Sequence, residues 1–410
     1  MAGLTLLHAA DLHLGSPFRG IAAQGDLARV FADCTFDAFT RLVDLAIIQK
    51  VDGVLLAGDL FDQKDRSLRA RLHLKEQLQR LHSSAIPSFL VHGNHDPIEG
   101  DPGGLALPSS VTVFGASLAE VELPGYCVQG ISFPTAEVKE NLSACFGRRS
   151  AKPTVGLLHC NLGGQAGHSD YAPCSLQDLE RAGLDYWALG HVHTRSQHRL
   201  AGNGLAAYPG NLQGRHVNET GERGALLVTL DSTREAAPTT RFVALDTVRW
   251  HRVEVAIDEL ESLDDLIHLC HSAIARAVGA IASIVRLQLT GRGPLHASFE
   301  SAEKLFELEA AIRSRLQGEV LLESLRDETG SSWELERLIA SGGLVSEVAL
   351  QLRQPPANEQ LGRLWAMAGL EALDAALLEA GLNPLKGQAA ALHHQAATRA
   401  VDLLEGDSSP

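Results

Sequence analysis

The sequence predicts a mixed α/β protein with two stacked sheets flanked by helices in four layers, α/β/β/α, followed by a smaller α/β domain and C-terminal helices. Short β-rich runs alternate with longer amphipathic runs at the start of the chain. The early strands are apolar almost throughout, as in a sheet covered on both faces. The alternation restarts near Thr247, which indicates a second domain.

The first domain is predicted to span residues 1–246. It begins with a β-α-β-α-β series, with strands and helices at 4–9, 26–49, 51–57, 67–83 and 88–92. Further strands are predicted at 111–114, 126–132, 154–159, 186–189, 224–230 and 241–245. So many strands in one domain favour two sheets over one.

The second domain is predicted to span residues 247–354. It alternates strands and helices, predicted at 250–257, 262–278, 283–289, 302–316 and 319–325. The run Gln354-Pro355-Pro356 breaks the pattern and separates a final helical segment, residues 355–410, with an amphipathic helix from Leu361 to Leu378.

Composition excludes several classes of protein. The 410 residues include 35 Lys and Arg against 50 Asp and Glu, a net charge of −15, which excludes a diffusely basic nucleic-acid coat but not a local site. Residues 247–410 hold 24 of the acidic and 14 of the basic residues, and therefore most of the excess negative charge. The six cysteines form no C-x-x-C pair, which argues against a disulfide framework or a thiolate zinc site.

Location in the cell is predicted from the same sequence. The first ten residues lack a basic region and a cleavage site, and no stretch approaches the roughly 20 apolar residues that span a bilayer. A cytoplasmic protein without a membrane partner is expected.

Polar residues follow the predicted strands at the points where those strands end. The blocks, in chain order, are Asp11-Leu12-His13, Gly58-Asp59, Gly93-Asn94-His95-Asp96, His159 and Gly190-His191-Val192-His193. Carboxylate, amide oxygen and imidazole are ligands for hard or borderline divalent metals. Loops at the carboxyl ends of strands converge in open α/β sheets, so these blocks together predict one metal site although each alone is weak.

The order of these blocks resembles the signature of the calcineurin-like metallophosphoesterase superfamily, D-x-H, G-D, G-N-H-D/E, H and G-H-x-H. The resemblance implies two divalent ions that share Asp59. It assigns the first ion to Asp11, His13, Asp59 and His193, and the second to Asp59, Asn94, His159 and His191. It also implies that His95 either protonates the leaving oxygen or stabilises the phosphorane-like charge, and that Asp96 orients the His95 imidazole.

Longer motifs are similar to the SbcD-like DNA repair exonucleases, and in particular to their bacterial YhaO-type branch. They are the segments at residues 8–15, 58–62, 171–174, 185–191 and 208–216. The resemblance implies a two-metal phosphodiesterase that acts as a DNA exonuclease in repair. It implies manganese as the activating ion, with iron or zinc as alternatives.

The same resemblance implies partners and domain roles. They are a capping domain at residues 247–354, DNA as substrate, homodimerisation, and a coiled-coil ATPase similar to SMC proteins that docks on the C-terminal segment. Packing of that segment on the second domain is the alternative. The acidity of residues 247–410 counts against a grip on DNA, so a phosphoesterase of small nucleotides or other phosphorylated metabolites remains open, as does a subunit active only with the ATPase.

Two further motifs allow more than one interpretation. Arg215 and His216 lie in a glycine-rich loop and either contact phosphate or belong to a solvated loop. Phe61 and Asp62 follow Asp59, the carboxylate that the two ions would share. They either support the metal ligands or form a turn that packs Phe61 into the core, and a mixture of the two is expected.

Overall fold

The computed structural model describes residues 3–16, 18, 26–62, 67–99, 105–163, 171–299, 301–354, 357–367, 370–379 and 385–406. Pro355 and Pro356 lie outside them. The chain divides into two compact units. The first comprises Met1–Arg252, Val278–Val285 and Gly318–Leu321, and the second comprises Val253–Ala277, Arg286–Gln317 and Leu322–Pro410. Within the described residues, every helix is too short or too polar to cross a membrane.

The strands of the first 244 residues form two six-stranded sheets. They are β1 (Leu4–Ala9), β2 (Gly53–Ala57), β3 (Ser88–Val91), β4 (Val111–Val113), β5 (Ala119–Glu122), β6 (Cys127–Ile131), β7 (Thr154–His159), β8 (Tyr186–Gly190), β9 (Ser196–Arg199), β10 (Leu205–Tyr208), β11 (Gly224–Leu230) and β12 (Thr239–Ala244). One sheet has the order β12-β11-β1-β2-β3-β4, and the other has the order β5-β6-β7-β8-β10-β9. Strands β1, β2 and β3 run parallel, as do β6, β7 and β8.

Helices cover the outer faces of these sheets. They are α1 (Asp26–Gln49), α2 (Leu68–Ser83) and α3 (Leu176–Ala182), with a 3₁₀ turn at Leu142–Cys145. Apolar residues of α1 and α2 pack on one face of the first sheet, and those of α3 pack on the second sheet. A third apolar cluster, with Leu55 and Phe89 from one sheet and Val155 and Leu157 from the other, lies between the sheets. The four-layer α/β/β/α prediction is confirmed.

The remaining elements follow residue 247. The strands β13 (Val248–Ala256), β14 (Ala282–Thr290) and β15 (Val320–Asp327) form a three-stranded sheet in that order. The helices are α4 (Leu263–Ala277), α5 (Ala302–Arg313), α6 (Leu335–Ser341), α7 (Gly343–Arg353), α8 (Asn358–Met367), α9 (Leu370–Glu379) and α10 (Ala389–Gly406). Helices α6, α7 and α10 share a small apolar cluster around Leu338, Ala349 and Val401.

The observed elements include several that the sequence pattern did not predict, among them the helices α3, α6 and α7. The sequence pattern missed β5, β9 and β10, which have four residues each. In β9 the run Ser196–Arg199 is polar and only partly buried, so it lacks the apolar signal of a covered strand. The helix predicted from Leu361 to Leu378 corresponds to α8 and α9, and residues 368 and 369 lie outside the described residues. The domain boundary at residues 354 and 355 remains a prediction.

Candidate metal centre

The predicted ligand blocks lie together at one edge of the stacked sheets. Asp11 and His13 follow β1, and Asp59 follows β2, its parallel neighbour. His159 is the last residue of β7, and His191 follows β8, which pairs with it in parallel. The carboxyl ends of parallel neighbours meet at the same edge, so topology alone brings residues far apart in sequence into one cluster.

The backbone that presents the first ligands is left-handed. Asp11, His13 and Asp59 have φ angles of 52°, 43° and 50°. Non-glycine residues rarely adopt this region, at a cost of about 1–3 kcal/mol each, and such strain occurs mostly at functional sites. Main-chain hydrogen bonds between the two loops hold it, from Asp11 N to Gly58 O at 3.1 Å and from His13 N to Asp59 O at 3.0 Å.

Two glycines in the blocks are required by close approach. A Cβ at Gly58 would collide with the His159 imidazole, and a Cβ at Gly93 would collide with the Asp59 carboxylate and with the same imidazole. Gly58 also has a φ of 88°. The motif glycines therefore leave the space that the ligand side chains occupy.

The first half of the centre comprises Asp11, His13 and His193, whose candidate ligand atoms lie within 4.8 Å of one another. The Nε2 atoms of His13 and His193 are 3.4 Å apart. The Asp11 Oδ1 atom lies 3.8 Å from His193 Nε2, and its carboxylate also accepts hydrogen bonds from the main-chain N–H of His191 at 3.1–3.2 Å.

The second half comprises Asn94, His159 and His191. Asn94 Oδ1 lies 3.0 Å from His159 Nε2 and 3.1 Å from His191 Nδ1. The His159 Nδ1–H donates to the carbonyl of Ala57 at 2.9 Å, which aims Nε2 at the centre.

Asp59 lies between the halves. Its Oδ1 accepts from the main-chain N–H of His95 at 2.9 Å, which fixes the carboxylate. Its Oδ2 lies 3.9 Å from His13 Nε2 and 3.4 Å from His159 Nε2. One oxygen atom thus faces an imidazole of each half, the geometry that a bridging ligand requires.

Two carboxylates stand behind the first-half imidazoles: Asp62, which is expected from the sequence to support the centre, and Glu219, which no sequence motif predicts. The His13 Nδ1–H donates to Asp62 Oδ1 at 2.6 Å, and the His193 Nδ1–H donates to Glu219 Oε1 at 2.6 Å. Metal-bound histidines usually donate their other N–H to a carboxylate or carbonyl in this way. Glu219 lies outside every motif block, so no signal in the sequence could have singled it out.

The donor set fits divalent cations. With both Nδ1 protons committed to carboxylates, the Nε2 atoms of His13 and His193 are the positions left to bind a cation, and they face each other and the Asp11 carboxylate. Such convergence of acceptors is unfavourable unless a cation lies between them. The set combines carboxylate, amide oxygen and imidazole, which suits manganese, iron or zinc.

Electrostatics agree with this assignment. Burial and the charge of Arg215 lower the pKa of His13 to about 4, so this imidazole is neutral near pH 7. Burial raises the pKa of Asp11 to about 6, since its charged form is costly without a nearby cation. Burial opposes charging of His159, yet the Asp59 carboxylate outweighs it and raises the pKa of His159 to about 9. The space between Asp59 and His159 therefore attracts positive charge.

His95 and Asp96 require one correction. His95 is exposed, and its Nδ1 lies 3.1 Å from Asp62 Oδ1, an interaction that raises its pKa. The buried Asp96 carboxylate instead accepts from the main-chain N–H groups of Leu60 at 2.9 Å and Gly93 at 2.7 Å. The prediction that Asp96 orients His95 is wrong, because both Asp96 oxygens hold backbone of the two loops. Asp62 stands in that place.

The two loop residues with open interpretations have different surroundings. Arg215 is largely buried, and its guanidinium donates to Asp62 Oδ2 at 3.0 Å and to Ser16 Oγ at 2.9 Å, so it is not part of a solvated loop. His216 is exposed, and its ring lies 6.4 Å from that of Trp250. Phe61 is buried in the core beneath α1 and α2, which confirms the inward turn.

Models of two protein families match parts of this chain. The model of the calcineurin-like phosphoesterase family matches residues 4–195. The model of the middle domain of metallophosphoesterase YhaO matches residues 250–330.

An uncharacterized metallophosphoesterase YhaO of Bacillus subtilis is 35% identical over 304 residues, which cover 72% of this chain and 73% of that protein. The DNA double-strand break repair protein Mre11 of Aeropyrum pernix is 30% identical and covers 68% of this chain and 69% of its own length. Mre11 of Sulfurisphaera tokodaii is 28% identical over 228 residues. The match covers 52% of this chain and 54% of that relative, about half of each. A dimetal phosphatase from Danio rerio, at 12% identity and a TM-score of 0.37, covers 58% of this chain and 99% of its own.

The fold and the donor set define a metal-dependent phosphoester hydrolase. Within that class, this chain belongs to the calcineurin-like phosphoesterase family and to its YhaO-type branch.

Proposed function

We propose that this protein is a two-metal phosphodiesterase that degrades DNA from its ends during repair. The observation that carries the proposal is the position of Asp59 Oδ2 between His13 and His159, with acceptor atoms converging on both sides. The names of the archaeal relatives, DNA double-strand break repair proteins, support DNA as the substrate.

The ligand residues would be those of the two halves together with Asp59. Two divalent ions held there would supply the positive charge that phosphoryl transfer needs on the attacking and leaving oxygens. Asp59 offsets the repulsion between the two positive sites, and neutral Asn94 limits the negative charge that would repel a phosphodiester.

His95 is proposed as the acid that gives a proton to the leaving oxygen. Its imidazole is exposed at the edge of the centre, and Asp62 holds Nδ1, so Nε2 is left to reach a substrate. The Asp62 carboxylate favours the protonated imidazole, the form that an acid needs.

Manganese is proposed as the activating ion, and a cytoplasmic location is proposed with it. We also propose that residues 247–354 form a capping domain, that the protein forms a homodimer, and that the C-terminal helices dock on a coiled-coil ATPase of the SMC type.

Exposed apolar side chains on α8 support the docking role of the C-terminal helices. Leu364 is 46% exposed and Met367 is 84% exposed.

A second candidate function is hydrolysis of small nucleotides or similar phosphoesters. The observation that favours it is the acidity of residues 247–410, which hold 24 acidic against 14 basic residues. A surface of this charge repels the DNA backbone, whose binding depends on lysine and arginine.

One assay separates these functions. The purified protein is incubated with linear single- and double-stranded DNA and with bis(p-nitrophenyl) phosphate, in Mn²⁺ with and without chelator. Manganese-dependent loss of DNA from its ends is expected. Hydrolysis of the small ester with intact DNA would reject the nuclease and favour the second candidate. Cleavage of DNA only after addition of the ATPase would make the protein a partner-dependent subunit.

A further inference from the structure

The loop after β10 contacts the first half of the metal centre through Arg215 and Glu219. We call residues 211–219 the clamp loop. It is anchored at Gln213, which is buried and whose Nε2 donates to Val248 O at 2.6 Å while its Oε1 accepts from Thr247 N at 2.9 Å. Val217 is also buried, next to Trp250. These contacts anchor the loop at Gln213 and at Val217.

Within the clamp loop, Arg215 touches both carboxylates that stand behind the first-half imidazoles. Its Nη1 donates to Asp62 Oδ2 at 3.0 Å, and its main-chain N–H donates to Glu219 Oε2 at 2.7 Å. The other oxygen of each carboxylate accepts from a predicted ligand, Asp62 Oδ1 from His13 and Glu219 Oε1 from His193. One residue is therefore linked to two histidine ligands through two carboxylates.

The chemistry of these links suits a positioning role. A carboxylate is held more firmly when both of its oxygens accept hydrogen bonds. Arg215 supplies the second donor to each, its guanidinium to Asp62 and its main-chain N–H to Glu219. The same Nη1 also donates to Ser16 Oγ at 2.9 Å, which holds the guanidinium in place. Its positive charge lies beside Asp62, and the side chain is only 16% exposed. The Nη1 atom and the main-chain N–H of Arg215 therefore face carboxylates and a hydroxyl.

We propose that Arg215 is a positioning residue of the metal centre and does not bind substrate phosphate. Its guanidinium holds Asp62 in the orientation that aims His13 at the first metal, and its main-chain N–H holds Glu219, which aims His193. The inference rests on the proposed function, since it takes these histidines as ligands. It replaces both interpretations that the sequence left open for Arg215, a phosphate contact and a residue of a solvated loop.

The test is a calorimetric titration of the chelator-treated full chain with Mn²⁺. In Arg215→Gln we expect the affinity of one of two sites to fall about 10- to 100-fold, the usual effect of removing a residue that orients ligands. Arg215→Lys, which keeps a charge beside Asp62, is expected to recover part of the loss. At saturating Mn²⁺, the KM for bis(p-nitrophenyl) phosphate is expected to stay at the parent value in both variants. Arg181→Gln is the control, since its side chain is 74% exposed and pairs only with Asp178.

The outcomes separate this inference from the proposed function. A parent protein that binds no Mn²⁺ would overturn the proposed function itself. A parent that binds two ions, together with an Arg215→Gln variant of unchanged affinity and raised KM, would overturn the positioning role alone and make Arg215 a phosphate contact. If Arg215→Gln does not fold, Ser16→Ala removes the second acceptor of the same Nη1 atom. Weaker binding at one site is then expected, and unchanged binding would overturn the role.

Discussion

The two halves of the metal centre orient their histidines by different means. In the first half, His13 and His193 donate to the carboxylates Asp62 and Glu219. In the second half, His159 donates to the main-chain carbonyl of Ala57, and glycines leave the space for its ring. A carboxylate makes an imidazole a stronger ligand than a neutral carbonyl does. His13 and His193 therefore depend on charge supplied by side chains, whereas His159 depends on the shape of the backbone.

The largest effect is expected for the residue that both halves share. Asp59→Asn removes the anionic bridge, so metal content should fall from about two ions per chain to near zero, because each ion then faces the other without a screening charge. Metal analysis after dialysis measures this. Asp33→Asn, at a surface ion pair with Arg69, is the control. Equal metal content in parent and Asp59→Asn would show that the halves are independent.

His95 tests whether Asp62 serves a second residue besides the metal ligand His13. In His95→Gln we expect the turnover number to fall about 10²- to 10⁴-fold, the usual contribution of a general acid, with metal content unchanged. Steady-state hydrolysis at saturating Mn²⁺ and metal analysis of the same sample provide both readouts. Loss of metal in this variant would mean that His95 belongs to the first half as a ligand.

Glu219 tests the comparison directly, because its carboxylate stands behind His193, whereas a main-chain carbonyl stands behind His159. Glu219→Gln keeps the size of the side chain and removes its charge, so the affinity of the first-half ion alone should fall about 10- to 100-fold. Calorimetry with Mn²⁺ measures both sites. The control is Glu222→Gln, whose side chain is 58% exposed. Equal weakening of both sites would remove the distinction between the halves.

The smallest effect is expected for a carboxylate at the opposite ends of β7 and β8. Burial alone would raise the pKa of Asp185, but Arg148 and Arg234 lower it below the ordinary value. Asp185→Asn should cost about 1–3 kcal/mol of stability at pH 7 and leave metal affinity unchanged.

The pH dependence of that variant has a defined sign. A lowered folded-state pKa means that the stabilisation is present above the pKa of the unfolded chain and is lost as the pH falls through the folded-state pKa. The difference in Tm between parent and Asp185→Asn should therefore shrink in acid. Thermal unfolding followed by circular dichroism at several pH values measures it, and a difference that grows in acid would contradict the assignment.

Much of the fold was predictable from local pattern. The predicted bounds of β7 and β11 match the structure, because both are apolar runs bounded by polar or turn residues. The polar blocks were predicted by their position after strands, the family resemblance selected seven of their residues as ligands, and the structure brings those seven together. The edge strand β9 was missed because it is only partly buried. Its residues are polar, so the sequence has no apolar pattern that would predict a strand there.

The sequence by itself determined the order of most elements, the four-layer class and the residues that meet at the candidate metal centre. Those properties depend on local apolar patterning and on the chemistry of short motifs. Only the tertiary structure decided that Asp62, and not Asp96, faces His95, and that Glu219 stands behind His193. Side-chain partners across such separations are set by how loops pack at the sheet edge, and motif spacing carries no information about that packing.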